Sequence, residues 1–307
     1  MLNLLFIAED SSFSLNQNFY YLERELADRT NLMIWRKPGP IRYILKGLPV
    51  QPDFILLMND LEQKLAPAIK GLENTGIPTG LFVNDVHRFR SLRKSFIERN
   101  KIPYLFTVIR DHFLKTYPGF KDKMIWLPHF VNTALYKDYG LTKEVDFLMM
   151  GAVNKTYPLR EKILKTYSED NRFVYHKHPG YGNSKQREGE KLIAGTQYAR
   201  ELNRSKIFFT CPSRMNYPVL KYYEALACKT LLLAPSFKEL EDLGFIPGHH
   251  FIAIDESNFK EKAEYYLTHK SERQLIAEQG YDFIHQEHSL KKRAQQLVNI
   301  IEGLIDQ

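Results

Sequence analysis

Lys221 and Glu224 stand three residues apart in Tyr217-Pro-Val-Leu-Lys-Tyr-Tyr-Glu-Ala-Leu-Ala-Cys-Lys-Thr-Leu-Leu-Leu-Ala-Pro235. Residues at that spacing share one face of a helix, so an ammonium and a carboxylate would project together. The segment reads as a helix with Pro218 at its first position, where a missing N–H costs nothing. A short buried strand, Leu231 to Ala234, follows it. The small residues Ala225, Ala227 and Cys228 let such a helix lie close to a sheet. Its N-terminus offers partial positive charge and free N–H groups to a diphosphate. A carboxylate further along can accept hydrogen bonds from a sugar diol. That combination points to a nucleotide-sugar site with Glu224 on the diol; an exposed helix glutamate ion-paired with Lys221 is the plainer alternative.

Other residues at strand ends fit the same chemistry. Arg214 and Tyr217 lie in the loop Cys211-Pro-Ser-Arg-Met-Asn-Tyr217 just before that helix. A planar guanidinium suits phosphate oxygens, although many loop arginines only face solvent. Gly151 ends a strand candidate and is followed by Asn154 and Arg160. Glycine there permits close backbone approach to a phosphate, and a turn would need it equally. His176-Lys-His-Pro179 follows another strand; the pair of histidines lacks a third zinc ligand, so Lys177 and His178 are read as donor contacts. On the amino-terminal side, Asp10 follows the first strand, and Asp85 and His87 follow the fourth. Inverting transfer to a hydroxyl requires a general base, which any of these three could supply. Capping of the next helix is the alternative, best suited to Asn84 or Asp85. His249-His250 reads as a turn feature.

Absent motifs exclude several classes. There is no G-x-G-x-x-G, which disfavours a dinucleotide dehydrogenase, and no G-x-x-x-x-G-K-[ST] phosphate loop. Asp-x-Asp, which would hold a divalent ion on a diphosphate, does not occur, so no metal or other cofactor is expected. Cys211 and Cys228 make neither a disulfide framework nor a zinc site and read as reduced core thiols, which favours a cytoplasmic protein. The apolar opening Met1 to Ala8 has no basic start and reads as a strand, not a signal peptide. No apolar run approaches the roughly 18 residues of a membrane span. The net charge of +7 is gathered partly in His87-Arg-Phe-Arg-Ser-Leu-Arg-Lys94, continuing to Arg99 and Lys101. A solvated helix face explains it; an anionic acceptor, a membrane surface or a polyphosphate-bearing polymer would use it. No nucleic-acid-binding signature is present.

These residues need elements to hold them. Strand candidates at 2–8, 31–35, 54–58, 79–83, 104–108 and 124–127 alternate with helices at 16–28, 61–72, 88–100 and 110–117. The rhythm restarts with strands at 145–150, 172–176, 207–210, 231–234 and 250–254. Helices at 157–167 and 197–205, the Pro218 helix and a segment at 237–243 separate these strands. Three helices, 259–269, 272–285 and 290–305, close the chain. Alternation of this kind predicts an α/β protein with two parallel sheets, each covered on both faces. A composition of 44% hydrophobic and 26% charged residues supports two ordinary soluble cores.

The run Lys221, Glu224, Ala225, Leu226, Ala227, Cys228 resembles the donor-site helix of group 1, family 4-like glycosyltransferases, in the branch typified by the spore maturation protein CgeB. Asp146 to Asn154 with Tyr157-Pro-Leu-Arg160, Leu202 to Ile207, and Leu127 to Asn132 resemble the same family. Together they span most of the chain from about residue 125 onward; the earlier part agrees only in general organisation. The resemblance implies the GT-B fold, two facing Rossmann-like domains with a deep cleft between them. The expected division is 1–138 for the acceptor domain, 139–288 for the nucleotide-sugar domain, and 289–307 for a helix crossing back to the first domain. It implies transfer of a sugar from a nucleoside diphosphate donor, UDP-linked, to a hydroxyl acceptor, with Glu224 on the ribose and Lys221 on phosphate or sugar. The implied setting is spore or cell-surface polysaccharide or glycoprotein. One position departs from the pattern: Asn216 stands where the wider family often carries a second acid, eight residues before Glu224. That departure keeps open a nucleotide-binding scaffold that has lost transfer, and a sugar-nucleotide epimerase is a third reading.

Overall fold

A computed structural model describes residues 1–58, 66–180 and 193–306. The chain forms two compact units, Met1–Pro128 together with the chain from Lys291 onward, and His129–Leu290. The first contains β1 (Asn3–Ala8), α1 (Asn18–Ala27), β2 (Asn31–Trp35), β3 (Gly39–Pro40), α2 (Ile41–Lys46) and β4 (Phe54–Met58). It continues through β5 (Ile69–Lys70), β6 (Thr79–Val83), α3 (Arg90–Arg99), β7 (Tyr104–Thr107), α4 (Arg110–Thr116) and β8 (Met124–Trp126). Its main sheet runs β2-β1-β4-β6-β7-β8, with all neighbours parallel. Every residue of β4 is buried. A strand covered on both faces must be apolar throughout, which is why it reads as an unbroken Phe-Ile-Leu-Leu-Met run.

The second unit contains β9 (Val145–Gly151), α5 (Pro158–Tyr167), β10 (Phe173–Lys177), α6 (Gly195–Arg204), β11 (Ser205–Phe209) and α7 (Leu220–Ala227). Then come β12 (Leu231–Ala234), α8 (Lys238–Asp242), β13 (Ile252–Ala253), α9 (Phe259–Thr268) and α10 (Lys270–Glu287). Its sheet is parallel in the order β10-β9-β11-β12-β13. Side chains alternate between two cores. Phe147 and Met149 pack with Leu159, Ile163 and Tyr167 of α5, whereas Leu148 and Met150 pack with α6 and α7. The last helix, α11 (Leu290–Ile305), groups with the first unit from Lys291, and Arg29 Nη1 of that unit donates to Gln295 Oε1 at 3.2 Å.

Four local expectations are revised. Residues 129–138 group with the second unit: the Val131 N–H donates to His288 O, the Val131 carbonyl accepts from Leu290 N, and Tyr136 enters that unit's core. The expected helix at 61–72 is not found where it can be judged; 61–65 lie outside the described residues, and 66–72 hold β5 and Gly71 at φ +81°. Pro67 and a left-handed glycine both interrupt helix there. Neither Asn84 nor Asp85 caps α3, which begins at Arg90 behind Phe89 at φ +53°. Pro218 is not the first residue of α7 either, since Val219 is still extended and the helix starts at Leu220.

The site helix α7 packs against α10 through Gly280. A Cβ at that position would lie 2.4 Å from the His250 carbonyl oxygen and 2.8 Å from Leu226 Cδ2. His250 stacks on Phe283 at 4.2 Å, and its Nδ1 accepts from the Ile246 N–H at 3.1 Å, which needs a neutral ring. Burial, helped by the neighbouring His249, pushes its pKa down to about 4.

Two outcomes follow. Gly280→Ala should lower the unfolding free energy by about 1–3 kcal/mol through overpacking, seen as a lower urea midpoint with an unchanged slope. As pH falls from the ordinary histidine value of 6.5 towards 4, the unfolded chain binds a proton that folded His250 refuses. Stability should therefore drop across that window, and His250→Phe should flatten this part of the profile; a wild-type slope in the variant would contradict the assignment.

Candidate donor site at the switch point of the second sheet

From β9 the chain moves outward to β10 and then crosses back to β11 on the other side. Parallel open sheets bind ligands beyond their carboxyl ends where strand order reverses in this way. Gly151 is the last residue of β9, and Thr210 and Cys211 follow β11. Gly151 has φ +136°, and a Cβ there would stand 2.8 Å from Lys221 Cε and 3.1 Å from an Arg160 Nη1. Only glycine satisfies both the backbone and the space. Its carbonyl accepts from Tyr175 Oη at 2.9 Å and from the His178 N–H at 3.2 Å, which ties the ends of β9 and β10 together.

Arg160, from α5, is buried beneath this edge. One Nη donates to Ala152 O at 3.3 Å, and the other to Thr210 Oγ1 and Cys211 O, both at 2.9 Å. Its guanidinium also lies 4.1 Å from the Tyr157 ring centroid. Arg160 thus spends its Nη donors on the loops after β9 and β11, holding both sides of the switch point, while its buried Nε has no hydrogen-bond partner among the described residues.

Lys221 and Glu224 are half-buried on α7. The Lys221 ammonium donates to Tyr198 Oη at 3.2 Å and lies 5.0 Å from that ring's centroid. The phenols of Tyr198 and Tyr136 both hydrogen-bond the Glu224 carboxylate. The direct ion pair of the plainer alternative is therefore replaced by a bridge through Tyr198. Burial pushes the Glu224 carboxyl above its ordinary value, against the pull of Lys221 and the two phenols. Burial likewise brings Lys221 down to about 8, with Glu224 opposing and Arg160 assisting. Sequence reasoning did not find Tyr136 or Tyr198. The periodicity of Tyr198, Ala199 and Leu202 on α6 marks Tyr198 as inward-facing, but nothing local names its partner.

The remaining donor-side candidates sit around this centre with other tasks visible. Asn154 Oδ1 accepts from the Thr156 N–H at 2.9 Å and shapes the turn into α5. Lys177 is exposed at the end of β10, in register with Gly151. His178 Nδ1 accepts from the Gly180 N–H at 2.8 Å. Arg214 is exposed, its backbone N–H donating to Thr156 O at 2.9 Å, and Tyr217 is partly buried. Asn216 is exposed at φ +55°, with its N–H on Ser213 O at 2.9 Å. His176 pairs with Glu201 at 3.4 Å, and no cluster among the described residues could hold a metal ion.

In the first unit, His87 Nδ1 lies 2.6 Å from Asp85 Oδ1, and Arg88 Nε lies 3.8 Å from the other oxygen of that carboxylate. Asp10 is an exposed turn residue whose Oδ1 accepts from the Ser12 N–H at 2.9 Å. Near the dyad, burial first and then the like charges of His87, Arg90 and Lys115 lower the His112 pKa, opposed by Asp85.

Comparison with known proteins now decides the family. The model of the glycosyl transferase-like family matches residues 145–299, just over half of the 307-residue chain. The chain belongs to the glycosyl transferase-like family. No curated protein matches its sequence. Among solved structures, the glycosyl transferase-like chain is similar to Anabaena Alr3699/HepE in complex with UDP-glucose, with TM-score 0.65 and 9% identity over 99% of this chain and 100% of that one. It is also similar to sucrose-phosphate synthase from Thermosynechococcus elongatus, with TM-score 0.67 and 10% identity over 99% of each chain. A glycosyltransferase from Rickettsia africae gives TM-score 0.61 at 11% identity, covering 99% of this chain and 98% of that one. The fold of this glycosyl transferase-like protein is GT-B.

The two arginines of the donor edge should separate cleanly on mutation. Arg160→Met strands buried carbonyls and should destabilise the ligand-free protein by about 1–3 kcal/mol for each acceptor left without a donor. Arg214→Ala, at an exposed position, should stay within about 0.5 kcal/mol of wild type. Denaturant unfolding of both variants reads the difference.

Proposed function

We propose that the protein moves a sugar from a UDP-linked donor to a hydroxyl acceptor without a metal ion. The observation that carries this is the enclosure of Lys221 and Glu224 beside Gly151, at the switch point of the second sheet. Lys221 contacts the diphosphate and Glu224 takes the ribose diol, with Arg214, Tyr217, Lys177 and His178 around them. The complexes of HepE with UDP and with UDP-glucose support the choice of nucleotide. When the bond between the anomeric carbon and the diphosphate breaks, charge builds on the leaving oxygen. Fixed positive groups already in place stabilise that charge.

The acceptor belongs to the first unit in this reading. His87 takes the hydroxyl proton, and Asp85, 2.6 Å away, stabilises the imidazolium that results. Arg88, Arg90 and Lys115 bring positive charge to this neighbourhood and favour an anionic acceptor. Asp10, engaged in its own turn, is the weaker base candidate. The CgeB-type resemblance adds decoration of a spore or cell surface as the setting, and the free buried thiols of Cys211 and Cys228 suit the cytoplasm as the compartment; no helix among the described residues is long and apolar enough to cross a membrane. A second reading, nucleotide binding without transfer, is favoured by Asn216, an exposed amide where the wider family often has an acid.

A thermal-shift series with UDP, GDP, ADP, TDP and CMP tests the donor site. UDP should raise the melting temperature most, equivalent to about 2.7 kcal/mol at a hundred times Kd. Glu224→Ala should abolish the rise while the ligand-free protein stays folded. Wild-type affinity should weaken as pH rises through about 8, because Lys221 loses its proton there. An unchanged shift in Glu224→Ala would sink the assignment, and UDP binding with no turnover of any UDP-sugar would favour the second reading.

A further inference from the structure

A lysine and a glutamate three apart on a helix ordinarily meet directly. On α7 they do not. The Tyr198 hydroxyl stands between them, accepting from the Lys221 ammonium at 3.2 Å and donating to the Glu224 carboxylate. A phenol can do both at once, because its oxygen carries a proton and lone pairs. The Lys221 stem is confined on its other side by Gly151, whose missing side chain leaves it just enough room. Tyr136 supplies a second hydrogen bond to Glu224, and the two tyrosine rings meet edge to face at 6.2 Å. Lys221 therefore commits one of its three N–H donors to the bridge, and Glu224 keeps acceptor capacity beyond its two phenols.

We propose that Tyr198 is a positioning residue that spaces Lys221 from Glu224, keeping an ammonium and a carboxylate open side by side for one ligand bearing an anion and a diol. The ligand class rests on the donor-site reading above; the spacing does not. Removing the hydroxyl lets the ammonium swing onto the carboxylate. The two charges then satisfy each other, and a ligand must break that pair before it can bind.

The test reads Lys221 directly, with no nucleotide present. Competitive acetylation across a pH series, with the Lys221 peptide quantified by mass spectrometry, gives its titration midpoint. Wild type should titrate near 8. In Tyr198→Phe the midpoint should rise by about one to three units, the range for a newly adjacent opposite charge. Tyr198→Phe/Glu224→Gln should cancel the rise, and Tyr136→Phe should not produce one. A midpoint in Tyr198→Phe that stays or falls overturns the spacer role. Should that variant fail to fold, uniform 3-fluorotyrosine labelling of the wild-type chain replaces it. The fluorinated phenol is a poorer acceptor, so the Lys221 midpoint falls if Tyr198 holds the ammonium and stays put if it does not. UDP affinity is the second readout: Tyr198→Phe should weaken it tenfold or more at pH 7, and equal affinity in the two proteins also counts against the spacer. If wild type binds no UDP, the donor-site reading fails while the acetylation series still decides the role of Tyr198.

Discussion

The missing side chain at residue 151 sets the terms for everything at the carboxyl edge of the second sheet. With φ at +136° and Lys221 Cε 2.8 Å from where a Cβ would stand, any other residue would displace either the strand end or the lysine. Because glycine is there, the Lys221 stem lies against β9, and Arg160 reaches past it to the loop after β11. Two cations and one carboxylate are thus held together where protein has replaced much of the water. Their mutual influence shows in the direction of each shift: Arg160 lowers Lys221, and Glu224 holds it up. The cluster therefore carries one positive charge more than its carboxylate offsets.

Most strands were legible because burial on both faces leaves few choices. β4, β6 and β12, buried along their whole length, occupy the residues that their apolar, β-branched and aromatic runs predict. Helix starts were harder to place, and for a common reason. The expectation for α7 rested on Pro218 as a first helical residue, and for α3 a polar cap at Asn84 or Asp85 was the alternative to a role in chemistry. The chain instead enters α7 from extended Val219, and enters α3 from Phe89 in the left-handed region. None of these entries uses the side-chain cap that a sequence pattern can display. Tertiary packing, which no local window contains, decides where such a helix begins. The short helix α2, Ile41–Lys46, escaped notice for the same reason: six residues make too little periodicity to stand out.

The site divides along a similar line. Lys221 and Glu224 were singled out because their spacing along the chain carries the signal, and Gly151 because it ends a strand. Tyr136 and Tyr198 were missed because they reach Glu224 from a connecting segment and from α6, and a tyrosine's hydroxyl partner leaves no trace in sequence spacing. Arg160 was found for a partly different role. A basic residue near a strand end invites a phosphate, yet its guanidinium geometry suits backbone carbonyls equally well, and burial selected the latter. Distinguishing those uses takes coordinates, since both place an arginine one turn into a helix after a glycine.

Structures at 9 to 11% identity share this fold over nearly the whole chain. What survives such divergence is the pattern of buried parallel strands, which tolerates exchange among apolar residues. The chemistry is carried by strand-end residues outside that constraint. The two units of this chain place opposite kinds of groups there. In the second, Lys221 and Glu224 are half-buried, and burial and their charged neighbours shift both away from their ordinary values. In the first, His87 is exposed, with its Nδ1 2.6 Å from Asp85 Oδ1.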